Sequence, residues 1–235
     1  MKTEGRNAVS ELLKTDKRIE KIMIVKNPQG SLNAIFAEAR KQGVRVQFVD
    51  KRVLDRESEE GRHQGVIAFT AEYKYADLDD VISNKRSNSL IVLCDCIEDV
   101  HNLGSIIRVA ECAGADGVII PANNSASVTD AVVRISAGAA EHVKVAKVNS
   151  LNRAIEQLKK AGYWLYALEA DGKNIYETDF PTKVALVVGG EDSGVRRLTR
   201  ENCDFCVSLP LRGKVNSLNA SVALGIAVYE VMRRV

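Results

Sequence analysis

A chain of 235 residues, 46% hydrophobic and 27% charged, has enough apolar material to bury a core, as one large domain or two small ones. No run approaches the ~18 apolar residues of a membrane-crossing helix, so no membrane partner is expected. The net charge of +2 hides an asymmetry: residues 1–70 hold 14 Lys+Arg against 10 Asp+Glu, and the remainder is slightly acidic, which suits a polyanion-gripping module joined to something else.

Five cysteines, an odd number, in a chain whose first residues lack a signal peptide's apolar centre, read as reduced thiols and a cytoplasmic location. Cys94 and Cys96 fall in a strand-like run, where their side chains are expected on one face. Cys203 and Cys206 have C-x-x-C spacing, but His63, His101 and His142 are scattered singly and no second ligand pair follows, so no metal is expected.

In chain order, residues 4–14 carry Ala8, Val9, Leu12 and Leu13 at the spacing of an amphipathic helix. Residues 19–25 read as a strand, and 32–41 as a helix capped by Ser31 and closed by Gly43. A strand over 44–49, a charged helix over 51–59 and a strand over 64–69 complete a small α/β/α unit. Residues 1–72 form this first domain. A polar linker with a short helix at 78–82 spans 73–88, and 89–235 form the second domain.

The second domain alternates strands at 90–94, 117–120, 143–148, 163–168, 184–188 and 206–209 with helices that include 129–140, 151–161 and 220–234. The strand at 163–168 has a polar exit, 169–172. Continuously apolar strands separated by helices predict a mostly parallel sheet covered on both faces, hence an α/β fold.

Three stretches carry chemistry, each after a strand. Asn102-Leu-Gly104-Ser-Ile-Ile-Arg108 opens a helix: Asn102 can cap it, Gly104 permits close approach, and Arg108 has the fork suited to phosphate. An ordinary helix bearing a surface arginine reads the same way. Gly189-Gly190-Glu191-Asp192-Ser193-Gly194 is a turn in which glycine relieves positive φ; it can cradle a ligand through backbone N–H groups or simply join a strand to a helix. It is neither a Walker A loop nor G-x-G-x-x-G. Gly213-Lys-Val-Asn-Ser217-Leu218-Asn219-Ala-Ser221 places three polar side chains where a helix begins, more than one N-cap needs.

Together these motifs resemble the SpoU (TrmH) family of RNA ribose methyltransferases: Asn102, Gly104 and Arg108 match its first motif, Gly190, Glu191 and Gly194 its second, and Gly213, Ser217, Leu218, Asn219 and Ser221 its third. The resemblance covers residues 89–235. Glu4-Gly-Arg6-Asn7-Ala-Val9 and His63-Gln-Gly65 look like the ribosomal-protein-like (L30e-like) substrate-binding domain of the subgroup that methylates a guanosine ribose in large-subunit (23S) ribosomal RNA. The resemblance implies a SPOUT domain with a trefoil knot, a homodimer, and S-adenosylmethionine held by Gly189, Gly190, Leu209, Leu218 and Leu168. It also implies catalytic roles for Arg108, Asn102, Glu191, Ser217 and Asn219. The family's first-motif arginine has been proposed as the base, but a guanidinium resists deprotonation, so Arg108 is expected on the phosphate and developing alkoxide, with Glu191 orienting Arg108 or offsetting its charge and the others fixing loops and cofactor. Arg6 and Asn7, with Arg108, are expected to touch RNA, either ribosomal RNA or its precursor particle. The alternatives are the same reaction on transfer RNA or another ribosomal RNA nucleotide, and a non-catalytic RNA-binding assembly factor, against which the intact motif residues argue.

Overall fold

In this computed structural model the chain divides into two compact units, Met1–Tyr73 and Lys74–Val235. The structure describes residues 2–15, 18–59, 61–70, 73–83, 86, 88–190 and 194–234.

In the first unit, strands β1 (Lys2–Glu4), β2 (Ile19–Val25), β3 (Arg45–Val49) and β4 (Val66–Thr70) form one sheet in the order β1-β4-β2-β3, with only β2 and β3 parallel. Helices α1 (Arg6–Leu12) and α2 (Ser31–Lys41) cover one face, and α3 (Lys51–Glu57) covers part of the other. Period-2 alternation assigns the faces: Ile22 and Ile24 enter the α1/α2 core, while Met23 between them meets Leu54 of α3. Val9, Leu12 and Leu13 are buried as their spacing requires, but Ala8 is exposed. The first helix also begins later than expected, because residues 2–4 pair with the edge of β4 and Gly5, at φ 92°, turns the chain into α1. Ser31 is the first residue of α2 and not its cap; Gly30 holds that position and no side chain caps the helix.

In the second unit, α4 (Leu78–Ile82) leads into β5 (Ser89–Asp95), α5 (Val100–Cys112), β6 (Gly117–Pro121), α6 (Asp130–Ile135), β7 (Lys144–Val148), α7 (Leu151–Lys160) and β8 (Trp164–Asn174). Then follow β9 (Lys183–Gly189), α8 (Arg197–Glu201), β10 (Phe205–Ser208) and α9 (Ala220–Arg234). The six strands are all parallel, in the order β10-β8-β9-β5-β6-β7. Central β5 is buried at every residue, the burial its unbroken apolar run demands. Leu151, Ile155 and Leu158 of α7 pack on Ile91, Leu93, Leu165 and Val187. Among the described residues no helix is long and apolar enough to cross a membrane.

Several boundaries differ from expectation. From Lys74 the segment expected as linker belongs to the second unit: Ala76 bridges Ala146, and Val81 is fully buried against Ile91 and Leu158. The helix expected over 129–140 stops at Ile135, since Ala137 (φ 52°) and Gly138 (φ 84°) are left-handed, and a 3₁₀ turn follows at Ala139–Glu141. Strand β5 ends at Asp95 and Cys96 turns away at φ 56°, so Cys96 does not continue the alternation that would pair its face with Cys94.

The polar exit expected after residue 168 lies within β8. Cys206 of β10 pairs with Ala167, yet Val207 pairs with Lys173, so residues 168–172 bulge outward. Gly172 makes that crossing possible, because a Cβ there would stand 2.6 Å from the Val207 backbone.

Candidate active site

The topology sets where a ligand can enter. Strand β5 connects through α5 to β6 on one side, while β9 lies on its other side, so the carboxyl ends of β5 and β9 form a switch point, the usual place for a cleft in an open parallel sheet. At that end Asp95 pairs with Gly189.

The glycine loop leaves β9 there, and bare backbone contact explains its composition. A Cβ on Gly189 would lie 1.9 Å from the Gly194 carbonyl carbon, and one on Gly190 2.5 Å from the Cys96 carbonyl oxygen. Of these three glycines only Gly194, at φ +60°, needs the left-handed freedom expected of the whole turn. The loop closes on itself through Gly194 N–H donating to Gly190 O at 2.9 Å.

Two acids clamp its outgoing limb. Glu169, carried out by the β8 bulge, accepts from Val195 N–H through Oε1 at 2.6 Å. Asp95, fully buried, accepts twice from one residue, from Arg196 N–H at 2.9 Å and Nε at 2.7 Å, and Nη2 adds an ion-pair contact at 2.6 Å. This pairing satisfies a charge that would otherwise be costly inside the protein and raises the Arg196 pKa above the ordinary arginine value. Burial, then the Asp95 charge, pushes the Cys96 thiol up.

The third motif is tied to the first. Asn219 caps α9, its Oδ1 accepting from Ser221 N–H at 3.0 Å, Ser221 Oγ at 2.6 Å and Val222 N–H at 3.3 Å. Its Nδ2 donates to Asn102 Oδ1 at 2.8 Å, across 117 positions of chain. Asn102 is therefore a buried tie inside α5 and not its cap; Asp99 takes that role, accepting from His101 N–H at 3.0 Å. Gly104 serves helix packing, since a Cβ there would meet Ile135 Cγ2 at 2.6 Å.

Between these loops opens a cleft of ≈ 690 Å³ counted to its mouth. Its walls include all five residues expected to hold the cofactor (Leu168, Gly189, Gly190, Leu209 and Leu218) together with Ser217, Asn216, Glu169 and Gly194. Leucine walls suit a flat purine, while the glycine backbone and the Glu169 carboxylate suit polar and cationic groups, so the residues fit S-adenosylmethionine.

The other expected residues fall as follows. Arg108 is exposed on α5, outside the cleft lining, with no hydrogen-bond or ion-pair partner among the described residues. Glu191 lies outside the described residues. In the first unit Arg6 donates from Nε to Gln64 O at 3.0 Å, and Asn7 is exposed. Among the described residues no group of three His, Cys, Asp or Glu side chains could hold a metal. Sequence reasoning missed Asp95, Arg196 and Glu169; the one available signal was an acid closing an apolar strand.

Comparison with known proteins agrees with this geometry. Residues 89–229 match the SpoU rRNA Methylase family, and residues 3–76 match the domain described as RNA 2'-O ribose methyltransferase substrate binding. The chain is 41% identical over 235 residues to YacO of Bacillus subtilis, named for the TrmH family of tRNA/rRNA methyltransferases, covering 98% of this chain and 94% of that one. A Staphylococcus aureus protein of the same description is 41% identical over 237 residues, with the same coverage. The SpoU methyltransferase AviRb of Streptomyces viridochromogenes, solved with AdoMet, superposes with a TM-score of 0.65 at 25% identity, covering 99% of this chain and 89% of that one. The A. aeolicus TrmH/SpoU tRNA modifying enzyme gives 0.58 at 29%, covering 67% and 80%. With both domains matched and the motif loops assembled around one cleft at the switch point of a parallel sheet, the chain belongs to the SpoU rRNA methylase family.

Proposed function

We propose that this protein transfers a methyl group from S-adenosylmethionine to the ribose 2′-hydroxyl of a guanosine in large-subunit (23S) ribosomal RNA. RNA 2′-O-ribose methylation with this donor follows from the two family matches and the AdoMet-bound relative. The observation that carries it to this chain is the cleft itself, in which the glycine loop and the third motif face each other across the five residues expected to hold the donor. The ribosomal target is supported by the first unit. Two solved structures described as acting on tRNA cover 63% and 67% of this chain, too little to span both units in full.

When bound, the donor supplies an electrophilic methyl on a cationic sulfonium. Gly189, Gly190, Leu168, Leu209 and Leu218 would hold it, with Ser217 beside them. The chain's own work is positioning and charge. Asn102 and Asn219 lock the third motif to α5, and Asp95–Arg196 and Glu169–Val195 lock the loop that bears Glu191. Arg108 grips the phosphate beside the target ribose and stabilises the oxygen as it loses its proton. It is not the base, because a guanidinium does not deprotonate in proteins. Glu191 orients Arg108. Arg6 and Asn7 dock the RNA from the first unit.

A homodimer and a cytoplasmic location complete the reading. Val222 (50% exposed), Ile226, Tyr229 and Met232 form an apolar stripe on α9 at helical spacing, the kind of face that a second copy covers. The family brings with it a trefoil knot in this domain.

The test is methyl transfer from labelled S-adenosylmethionine to in-vitro-transcribed 23S ribosomal RNA and tRNA side by side, with Arg108→Ala as control. Label on one guanosine of the ribosomal RNA, resistant to alkaline cleavage and absent with the variant, is expected. Label only on the tRNA overturns the target.

A further inference from the structure

The register of the first unit's sheet sets four side chains in a line across all its strands. Lys2 of β1 lies opposite Phe69 of β4, Phe69 opposite Lys21 of β2, and Lys21 opposite Arg45 of β3. Directly opposed residues share a face, and at ~4.8 Å per strand the row spans about 14 Å. It lies on the α3 side: α3 packs over Met23, Ile67 and Val49 further along the strands, and half-buried Phe69 borders that cluster while Lys21 and Arg45 do not belong to it. The row sits at the opposite end of β1 from Gly5 and Arg6.

The chemistry of the row is cationic. Lys21 Nζ stands 4.5 Å and Lys2 Nζ 5.9 Å from the Phe69 ring centroid, so the ring is occupied by ammonium groups and offers no platform to a base. Lys2 is largely compensated: Nζ donates to Glu57 O at 2.9 Å and lies 3.4 Å and 3.5 Å from the Glu57 and Glu59 carboxylates. Glu4, on the same face two strands from Lys21, accepts from Ser58 and from Glu59 N–H. Lys21 and Arg45 are different. They are like charges on adjacent strands, Arg45 is exposed, and neither has an ion-pair partner among the described residues. Like charges directly opposed destabilise a sheet, and a polyanion would relieve that cost.

We propose that Lys21 and Arg45 form a second RNA contact, separate from Arg6 and Asn7, that holds backbone phosphates and reads no base. The inference rests on the RNA-methyltransferase reading. Contacts of this kind position the nucleic acid and show themselves in salt dependence.

The experiment is anisotropy titration of labelled 23S ribosomal RNA and tRNA transcripts with the full chain between 50 and 300 mM salt. Each lost phosphate contact lowers the slope of log affinity against log salt by ~0.7–0.9. Lys21→Gln with Arg45→Gln removes both charges while keeping polar side chains with methylene stems, and is expected to lower the slope by about 1.5, with cofactor affinity and kcat at saturating RNA unchanged. Lys21→Arg with Arg45→Lys is expected to keep the wild-type slope. A double Gln variant with the wild-type slope overturns the proposal, and so does loss of slope in the charge-keeping pair. Wild-type protein with no affinity for either RNA sinks the underlying reading as well, an outcome distinct from both.

Discussion

Replacing Asn219 separates two jobs that one side chain performs. Its Oδ1 caps α9 and its Nδ2 ties that helix to Asn102. Serine caps a helix about as well as asparagine but is too short to reach Asn102, so Asn219→Ser removes only the tie, ~1 kcal/mol for a net hydrogen bond. Asn219→Ala removes cap and tie together, ~2 kcal/mol. For a unit of this size each kcal/mol moves the melting temperature by about 2–4 °C, which places Asn219→Ser about 3 °C and Asn219→Ala about 6 °C below wild type. Thermal unfolding of the full chain by circular dichroism reads this, and methyl-transfer kinetics on the same samples show kcat falling in both variants because the third motif loses its anchor on α5. Asn102→Ala, alone and combined with Asn219→Ala, closes a cycle whose coupling is expected near 1 kcal/mol. Zero coupling, or a serine variant that melts and turns over like wild type, would refute the tie.

Arg196→Ala leaves the buried Asp95 with a backbone donor and the weak, long thiol contact of Cys96, and with no cation. At ~1.5–3 kcal/mol per charged hydrogen bond, discounted for a guanidinium 44% exposed, about 2 kcal/mol reaches the loop. S-adenosylmethionine affinity measured by calorimetry should fall by up to ~30-fold, Arg196→Lys lying between; wild-type affinity in the alanine variant would show that the clamp does not shape the cleft. Gly189→Ala should abolish cofactor binding, since its Cβ meets Gly194 at 1.9 Å; binding within tenfold of wild type would mean that this close approach is not required. At pH 8 a thiol reagent should label exposed Cys112 first; half-buried Cys203, its thiol pushed up to about 12, should react more slowly, and fully buried Cys94, also pushed up to about 12, should wait for unfolding. Equal rates for Cys94 and Cys112, read by mass spectrometry, would contradict that burial.

The sequence placed β2 and α9 to the residue, because the apolar runs that each buries, Ile22–Ile24 and Leu224 with Ala227, Val228 and Val231, fit only those conformations. The family resemblance, and not periodicity, supplied the five candidate cofactor-holding residues; the fold brings all five to the wall of one cleft. What only the tertiary structure decided depends on partners distant in sequence. Lys2–Glu4 is a strand because β4 offers it an edge, and residues 168–172 bulge because β10 changes register against β8. Asn102 looks like a cap within its own helix and becomes a tie once Asn219, 117 positions away, is brought to it. Asp95 is marked in the sequence only as an acid closing an apolar strand, and nothing there points to Arg196, 101 positions away; their meeting is a consequence of strand order, which composition and period do not encode.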